Sequence, residues 1–209
     1  MVLTLENLAA TSGPRGSIRR GVLQAMRKVP RHLLVPEAVR SQAYRNTALP
    51  IGYDQTISQP FVVALMTDLL DARPEHVVLE VGTGSGYQAA VLSQLVKQVY
   101  TIEIVEPLAK RASGQLAALG YRNVTVRVGD GYAGWPEHAP FDGIMVTAGA
   151  THVPQPLIGQ LKVGGRMVIP VGKAWNRLQL TLVVKQKNGR LKTQKVLPVA
   201  FVPLTRSGS

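Results

Sequence analysis

The run Val77-Val78-Leu79-Glu80-Val81-Gly82-Thr83-Gly84-Ser85-Gly86 constrains this chain more than any other stretch. An apolar β-rich segment, a glycine turn and a following helical pattern form the opening unit of a nucleotide-binding α/β fold. Gly82, Gly84 and Gly86 let backbone approach a ligand, and the helix from Tyr87 turns its unpaired N–H groups toward the loop that holds Thr83. Glu103 lies 21 positions after Gly82, at the end of the next strand, where a carboxylate can accept hydrogen bonds from both hydroxyls of a ribose. The expected ligand is an adenosine derivative.

The glycine spacing narrows the choice. Dinucleotide sites favour G-x-G-x-x-G, with a helix N-terminus against a pyrophosphate. Here the pattern is G-x-G-x-G, and Tyr87 stands at the last fingerprint position. Glu80, just before the glycines, would repel a pyrophosphate and attract a sulfonium or ammonium. S-adenosylmethionine combines adenosine with a cationic centre and no phosphate. After the third strand, Asp130 is a candidate acceptor for the adenine amine, and Gly131 leaves room for the ring.

From Val77 onward, strand and helix alternate. Strands are expected at Val77–Val81, Val99–Glu103, Val124–Val128, Gly143–Thr147 and Arg166–Pro170, with helices at Tyr87–Leu95 and Glu106–Leu119. This order predicts a doubly wound parallel sheet with helices on both faces. A terminal antiparallel pair, Leu178–Lys187 and Lys195–Val202, turns at Asn188-Gly189. Upstream, Gly16–Val35 reads as a basic amphipathic helix whose length Pro30 limits, and Glu37–Tyr44 as a shorter one. One domain over 1–209 is expected, with an N-terminal helical extension over 1–75 and the α/β core and terminal strands over 76–209.

Composition excludes several chemistries. There is no cysteine, hence no disulfide framework, thiolate zinc site or cysteine nucleophile. His32, His76, His138 and His152 lack ligand spacing, so no metal is expected. The N-terminal residues carry no secretory pattern and no apolar run approaches the ~20 residues of a membrane span, which points to a cytoplasmic protein without a membrane partner. The net charge is +12, and after Asp142 ten basic residues follow with no acidic one. No aromatic residues interleave the basic ones as a base-stacking platform requires, so they read as a solvated surface and a nucleic-acid partner is disfavoured.

Gln55-Thr56-Ile57-Ser58-Gln59-Pro60 opens another helix. Locally, Ser58 is an expected N-cap, and a capped helix N-terminus doubles as an anion site. A carboxylate held there could be methylated without a general base, because a carboxyl group with a pKa of ~4 is already ionised at neutral pH.

Together these residues resemble protein-L-isoaspartate O-methyltransferases, from about Arg27 to Leu204. The shared motifs are Val29-Pro30-Arg31, Leu49-Pro50-Ile51-Gly52, Gln55-Thr56-Ile57-Ser58-Gln59-Pro60, Leu79 to Tyr87, Gly164-Gly165 and Phe201-Val202-Pro203-Leu204. The resemblance implies a Rossmann-like class I methyltransferase. Its methyl donor would be S-adenosylmethionine, leaving S-adenosylhomocysteine, and its acceptor the α-carboxylate of isoaspartyl residues in damaged proteins. The ester would then collapse to a succinimide. By resemblance Ser58 is the active-site residue and Thr56 and Ile57 line the donor and acceptor sites; a monomer is expected separately. Tyr53-Asp54, Ala148-Gly149-Ala150 and Ala200 depart from the family pattern. A methyltransferase of RNA or small molecules and a non-catalytic nucleotide-binding module are the competing readings.

Overall fold

The computed structural model describes residues 1, 5, 17–174 and 177–206. Its centre is a seven-stranded sheet in the order β5-β4-β3-β6-β7-β8-β9. Strands β3 (Val77–Val81), β4 (Gln98–Glu103), β5 (Val124–Val128), β6 (Phe141–Val146) and β7 (Leu161–Val171) run parallel to one another. Strands β8 (Leu178–Lys185) and β9 (Leu191–Val199) extend the sheet antiparallel. The chain passes outward from β3 through β4 to β5, then returns to place β6 on the other side of β3. That reversal creates a crevice at the carboxyl ends of β3 and β6, where ligands bind in open α/β sheets.

Side-chain alternation along the strands divides the core in two. Val78 of β3 joins one apolar cluster, whereas Leu79 and Val81 join the other. On the first face lie α2 (Pro60–Leu70), α3 (Tyr87–Ser93) and α4 (Glu106–Ala118). On the opposite face, Leu157 of α5 (Gln155–Gln160) packs with Trp135 and Phe141. Helix α2 is buried all round rather than along one stripe, because α1 (Arg20–Lys28) covers it from outside. Arg19 fastens the two together: its backbone N–H and Nε both donate to Asp68 Oδ1, at 3.0 and 2.8 Å.

Several expectations are corrected. The helix expected over Gly16–Val35 is nine residues long and stops before Pro30, which lacks the N–H that another helical turn needs. A 3₁₀ turn over Arg31–Leu33 follows, and Gly16 itself lies outside the described residues. The second expected helix is a 3₁₀ segment, Glu37–Gln42. The stretch before α2 is a small hairpin, β1 (Leu49–Gly52) against β2 (Gln55–Ile57), turned by Tyr53 and Asp54 with φ near 55° at both. Strand β7 begins five residues earlier than expected.

Ser58 is not the N-cap of α2. Gln59 holds that position and Pro60 is the first helical residue, with no side-chain cap from either neighbour. Asn46 Oδ1 accepts instead from the Phe61 N–H at 2.9 Å. The N-terminus of α2 thus has one amide absent and the next engaged, so it is not the open anion site that the local sequence suggested.

Candidate active site

Two adjoining clefts occupy the crevice, with volumes of about 560 and 410 Å³. The larger is lined by Gly82, Gly84, Glu103, Val105, Gly131 and the segment Val202–Thr205, among others. The smaller is lined by Thr56, Ile57, Ser58, Thr83, Ser85 and Tyr87, among others. Thr56, Gly82, Gly84 and Thr147 belong to both, so the clefts share a wall. A third groove, of about 790 Å³, runs from Thr56 and Ser58 along Phe61 to the Leu197–Phe201 edge.

The glycine loop is held to its shape from both sides. Gly82 has φ +99°, and a Cβ there would meet Thr147 Oγ1 at 2.4 Å. Both the conformation and the space require glycine. The Thr147 hydroxyl contacts the carbonyl oxygens of Gly82 and Val81 at 2.6 and 3.1 Å, which ties the ends of β3 and β6 together. A Cβ on Gly131 would meet Val81 Cγ1 at 2.3 Å, so the loop after β5 also needs a bare backbone.

Glu103 stands where the sequence placed it. One carboxylate oxygen accepts from the Gly84 N–H at 2.7 Å and the other from the Val105 N–H at 3.0 Å. Each oxygen keeps a second acceptor direction for a ribose hydroxyl. Asp130 behaves differently. Its Oδ1 accepts from Tyr132 N–H at 2.8 Å, Oδ2 lies 3.8 Å from Arg206 Nε, and only its neighbour Gly131 lines the cleft. Gly86 sits one step behind the loop as the N-cap of α3.

Glu80 requires a correction. The sequence suggested a charge presented to a cationic ligand, but the side chain is fully buried and lines neither cleft. Its Oε2 accepts from Thr101 Oγ1 at 2.5 Å, and Thr101 in turn meets Thr83 Oγ1 at 2.6 Å. Oε1 has no partner. Burial pushes the carboxyl up to about 8, helped by nearby Glu103 and opposed by the Thr101 hydrogen bond. At neutral pH Glu80 is a neutral acid supporting the loop through Thr101 and Thr83.

Sequence reasoning missed two contributors. Val202–Thr205 walls the larger cleft because Gly149 N–H donates to Val202 O at 2.7 Å and Leu204 N–H to Gly149 O at 2.8 Å. The Phe-Val-Pro-Leu motif was legible, but nothing local showed that it folds back on the loop after β6. The other is Arg31, completely buried behind Ser58. Among the described residues, no cluster of metal-ligating side chains forms and no helix is long and apolar enough to cross a membrane.

A glycine loop at the switch point, a two-acceptor carboxylate one strand along and a cleft without phosphate-binding cations fit S-adenosylmethionine, and together with the sheet they define a class I methyltransferase. Comparison with known proteins narrows that class. Residues 8–209 match the family model for protein-L-isoaspartate(D-aspartate) O-methyltransferase, and the chain belongs to that family. It is 62% identical over 184 residues to protein-L-isoaspartate O-methyltransferase 2 of Syntrophobacter fumaroxidans, covering 88% of this chain and 74% of the relative. The corresponding enzyme of Polaromonas sp. is also 62% identical, with coverage of 88% and 87%. A solved protein-L-isoaspartate O-methyltransferase superposes with a TM-score of 0.85 at 30% identity, over 97% of this chain and 65% of that one. The protein is accordingly an S-adenosylmethionine-dependent enzyme that methylates isoaspartyl proteins.

Proposed function

We propose that Ser58 holds the α-carboxylate of an isoaspartyl residue against the donor site, and that methyl transfer there needs positioning rather than proton transfer. The observation that carries this reading is the place of Thr56-Ile57-Ser58. This short segment borders the donor clefts on one side and the third groove beside Leu197–Phe201 on the other. A peptide in that groove would deliver a side chain past Ser58 to the cleft. The Ser58 hydroxyl is not committed to capping α2, so it is free to donate to a carboxylate oxygen.

When bound, S-adenosylmethionine supplies an electrophilic methyl group on a sulfonium. Glu103 would fix its ribose through the two acceptor directions left open, and Gly131 with Asp130 would border the adenine. Gly82, Thr83 and Gly84 would set the depth of the amino-acid end, and Thr56 and Ile57 would separate donor from acceptor. The acceptor carboxylate is ionised at neutral pH. Alignment and exclusion of water are therefore what these residues contribute. The methyl ester so formed is open to attack by the following backbone amide nitrogen, which releases methanol and closes a succinimide.

The same reading takes 1–209 as one functional domain, with the acceptor motif in the 1–75 extension and the donor site in 76–209. It carries with it a monomer acting in the cytoplasm, checked by sedimentation and cell fractionation. The decisive assay is transfer of labelled methyl from S-adenosylmethionine to paired peptides that differ only in isoaspartate versus aspartate. Base-labile label on the isoaspartyl peptide alone is expected, and label on neither or on both would overturn the assignment. Ser58→Ala is expected to cut turnover at least tenfold while leaving S-adenosylhomocysteine affinity within about twofold, as expected for a group that touches only the acceptor.

A further inference from the structure

Among the described residues Arg31 is the largest fully buried side chain, and no carboxylate is among the groups that act on it. Its Nε donates to Ala43 O at 2.7 Å and Nη2 to Ser58 O at 2.8 Å, while Nη1 has no hydrogen-bond partner. The guanidinium lies over the Tyr87 ring, 4.6 Å from its centroid, and the buried Tyr87 hydroxyl acts on it at close range without reaching the geometry of a full hydrogen bond. The titratable groups that reach Arg31 electrostatically are the phenols of Tyr87 and Tyr44. Burial lowers the guanidinium to about 10, with those phenols pulling the other way, so the charge persists at neutral pH.

An isolated buried cation is expensive, and such charges are ordinarily paired. Hydrogen bonds to two backbone carbonyls and a ring face relieve part of that cost and leave the net charge uncancelled. Both residues that Arg31 touches from behind, Ser58 and Tyr87, line the smaller cleft. The positive charge therefore stands one residue behind the acceptor pocket, in surroundings where screening by water is weak.

We propose that Arg31 is a positioning residue for the acceptor, clasping the Ser58 backbone and holding an unneutralised positive charge that the substrate's α-carboxylate completes. The inference rests on the carboxylate-acceptor reading above. The clasp explains why arginine and not lysine serves here. The fork reaches the carbonyls of Ala43 and Ser58, the two ends of the stretch that carries the β1–β2 hairpin, while its flat face stacks on Tyr87. A single ammonium cannot do all three.

The test compares the wild-type enzyme with Arg31→Met and Arg31→Lys. It uses an isoaspartyl peptide as substrate and the same peptide with an α-carboxamide as a competitive ligand. For Arg31→Met, KM for the peptide is expected to rise roughly 10- to 100-fold, the scale of one lost interaction with a charged group. Binding of the neutral carboxamide and of S-adenosylhomocysteine is expected to change less than about threefold. Arg31→Lys is expected to retain the preference for carboxylate over carboxamide with a reduced kcat, because it keeps the charge and loses the clasp. Added guanidinium ion should partly restore the peptide KM of Arg31→Met.

Equal losses for carboxylate and carboxamide, with no rescue by guanidinium, would reduce Arg31 to a structural tie and overturn the proposal. Should Arg31→Met not fold, Arg31→Gln takes its place: it is expected to lose the carboxylate preference that Arg31→Lys keeps, and an equal preference in the two variants overturns the proposal. If the wild-type enzyme fails to methylate the isoaspartyl peptide, the carboxylate reading falls and this inference with it. A wild-type enzyme that works beside an Arg31→Met variant with an unchanged carboxylate preference sinks this inference alone.

Discussion

Glu80→Gln removes one ionisable proton from beneath the glycine loop and nearly preserves shape. Its effect on stability follows from linkage. The Glu80 carboxyl has an ordinary value of 4.5 and is pushed to about 8 in the fold, chiefly by burial. Below 4.5 it is neutral in both folded and unfolded chains and costs nothing. Between 4.5 and 8 the unfolded chain loses the proton and the folded chain keeps it, so folding is disfavoured increasingly as pH rises. The penalty grows from roughly 1 kcal/mol near pH 5.5 to roughly 4–5 kcal/mol near pH 8.5. Glutamine carries no such penalty. The stability of Glu80→Gln relative to wild type should therefore rise by about 3 kcal/mol between those two pH values. Urea unfolding of both proteins at each pH reads this directly, since titrating groups not coupled to Glu80 cancel in the difference. A flat difference would refute the reasoning. It would mean that Glu80 is ionised in the fold and available as the negative charge first expected of it.

Glu103→Gln keeps the acceptor for one amide and loses half of the charged acceptor set. Affinity for S-adenosylhomocysteine should fall roughly 10- to 100-fold by calorimetry, with the peptide KM little changed. Gly82→Ala places a Cβ where Thr147 Oγ1 stands, at a φ of +99° that alanine resists. It should lower unfolding stability by roughly 2–4 kcal/mol and weaken donor binding, and a change under ~0.5 kcal/mol would contradict the packing described for that loop.

Legibility from sequence followed the range of the interactions involved. The unit β3–loop–α3–β4 was readable because its apolar runs, glycines and terminal acid are all local signals. Glu103 and Gly131 line the cleft at positions that the same local signals mark. The hairpin β1–β2 escaped because Pro50 and Gly52 interrupt short strands that only pairing with each other secures. Strand β7 runs through Gly164-Gly165 and so begins ahead of the expected Arg166, stabilised by β6 on one side and β8 on the other. Ser58 looked like a cap because Asn46, fifteen residues upstream by hydrogen bond, does that work from outside the window. Glu80 was read from its neighbours in sequence, although strand alternation turns it away from the face shared by Leu79 and Val81. Nothing near Arg31 marks it as buried, since its environment comes from residues 43, 58 and 87.

The donor cleft draws its walls from six stretches spread between Gln55 and Thr205. No two of them need be close until the sheet has closed, so no fragment of the chain can present the binding surface alone. A ligand seated there acts as a staple across loops of many tens of residues. Its binding free energy is then linked to opening of the whole fold rather than to fraying of one loop, and at a hundredfold excess over Kd it adds about 2.7 kcal/mol to global stability. An enzyme saturated with donor should resist proteolysis along its entire length, not just at the cleft.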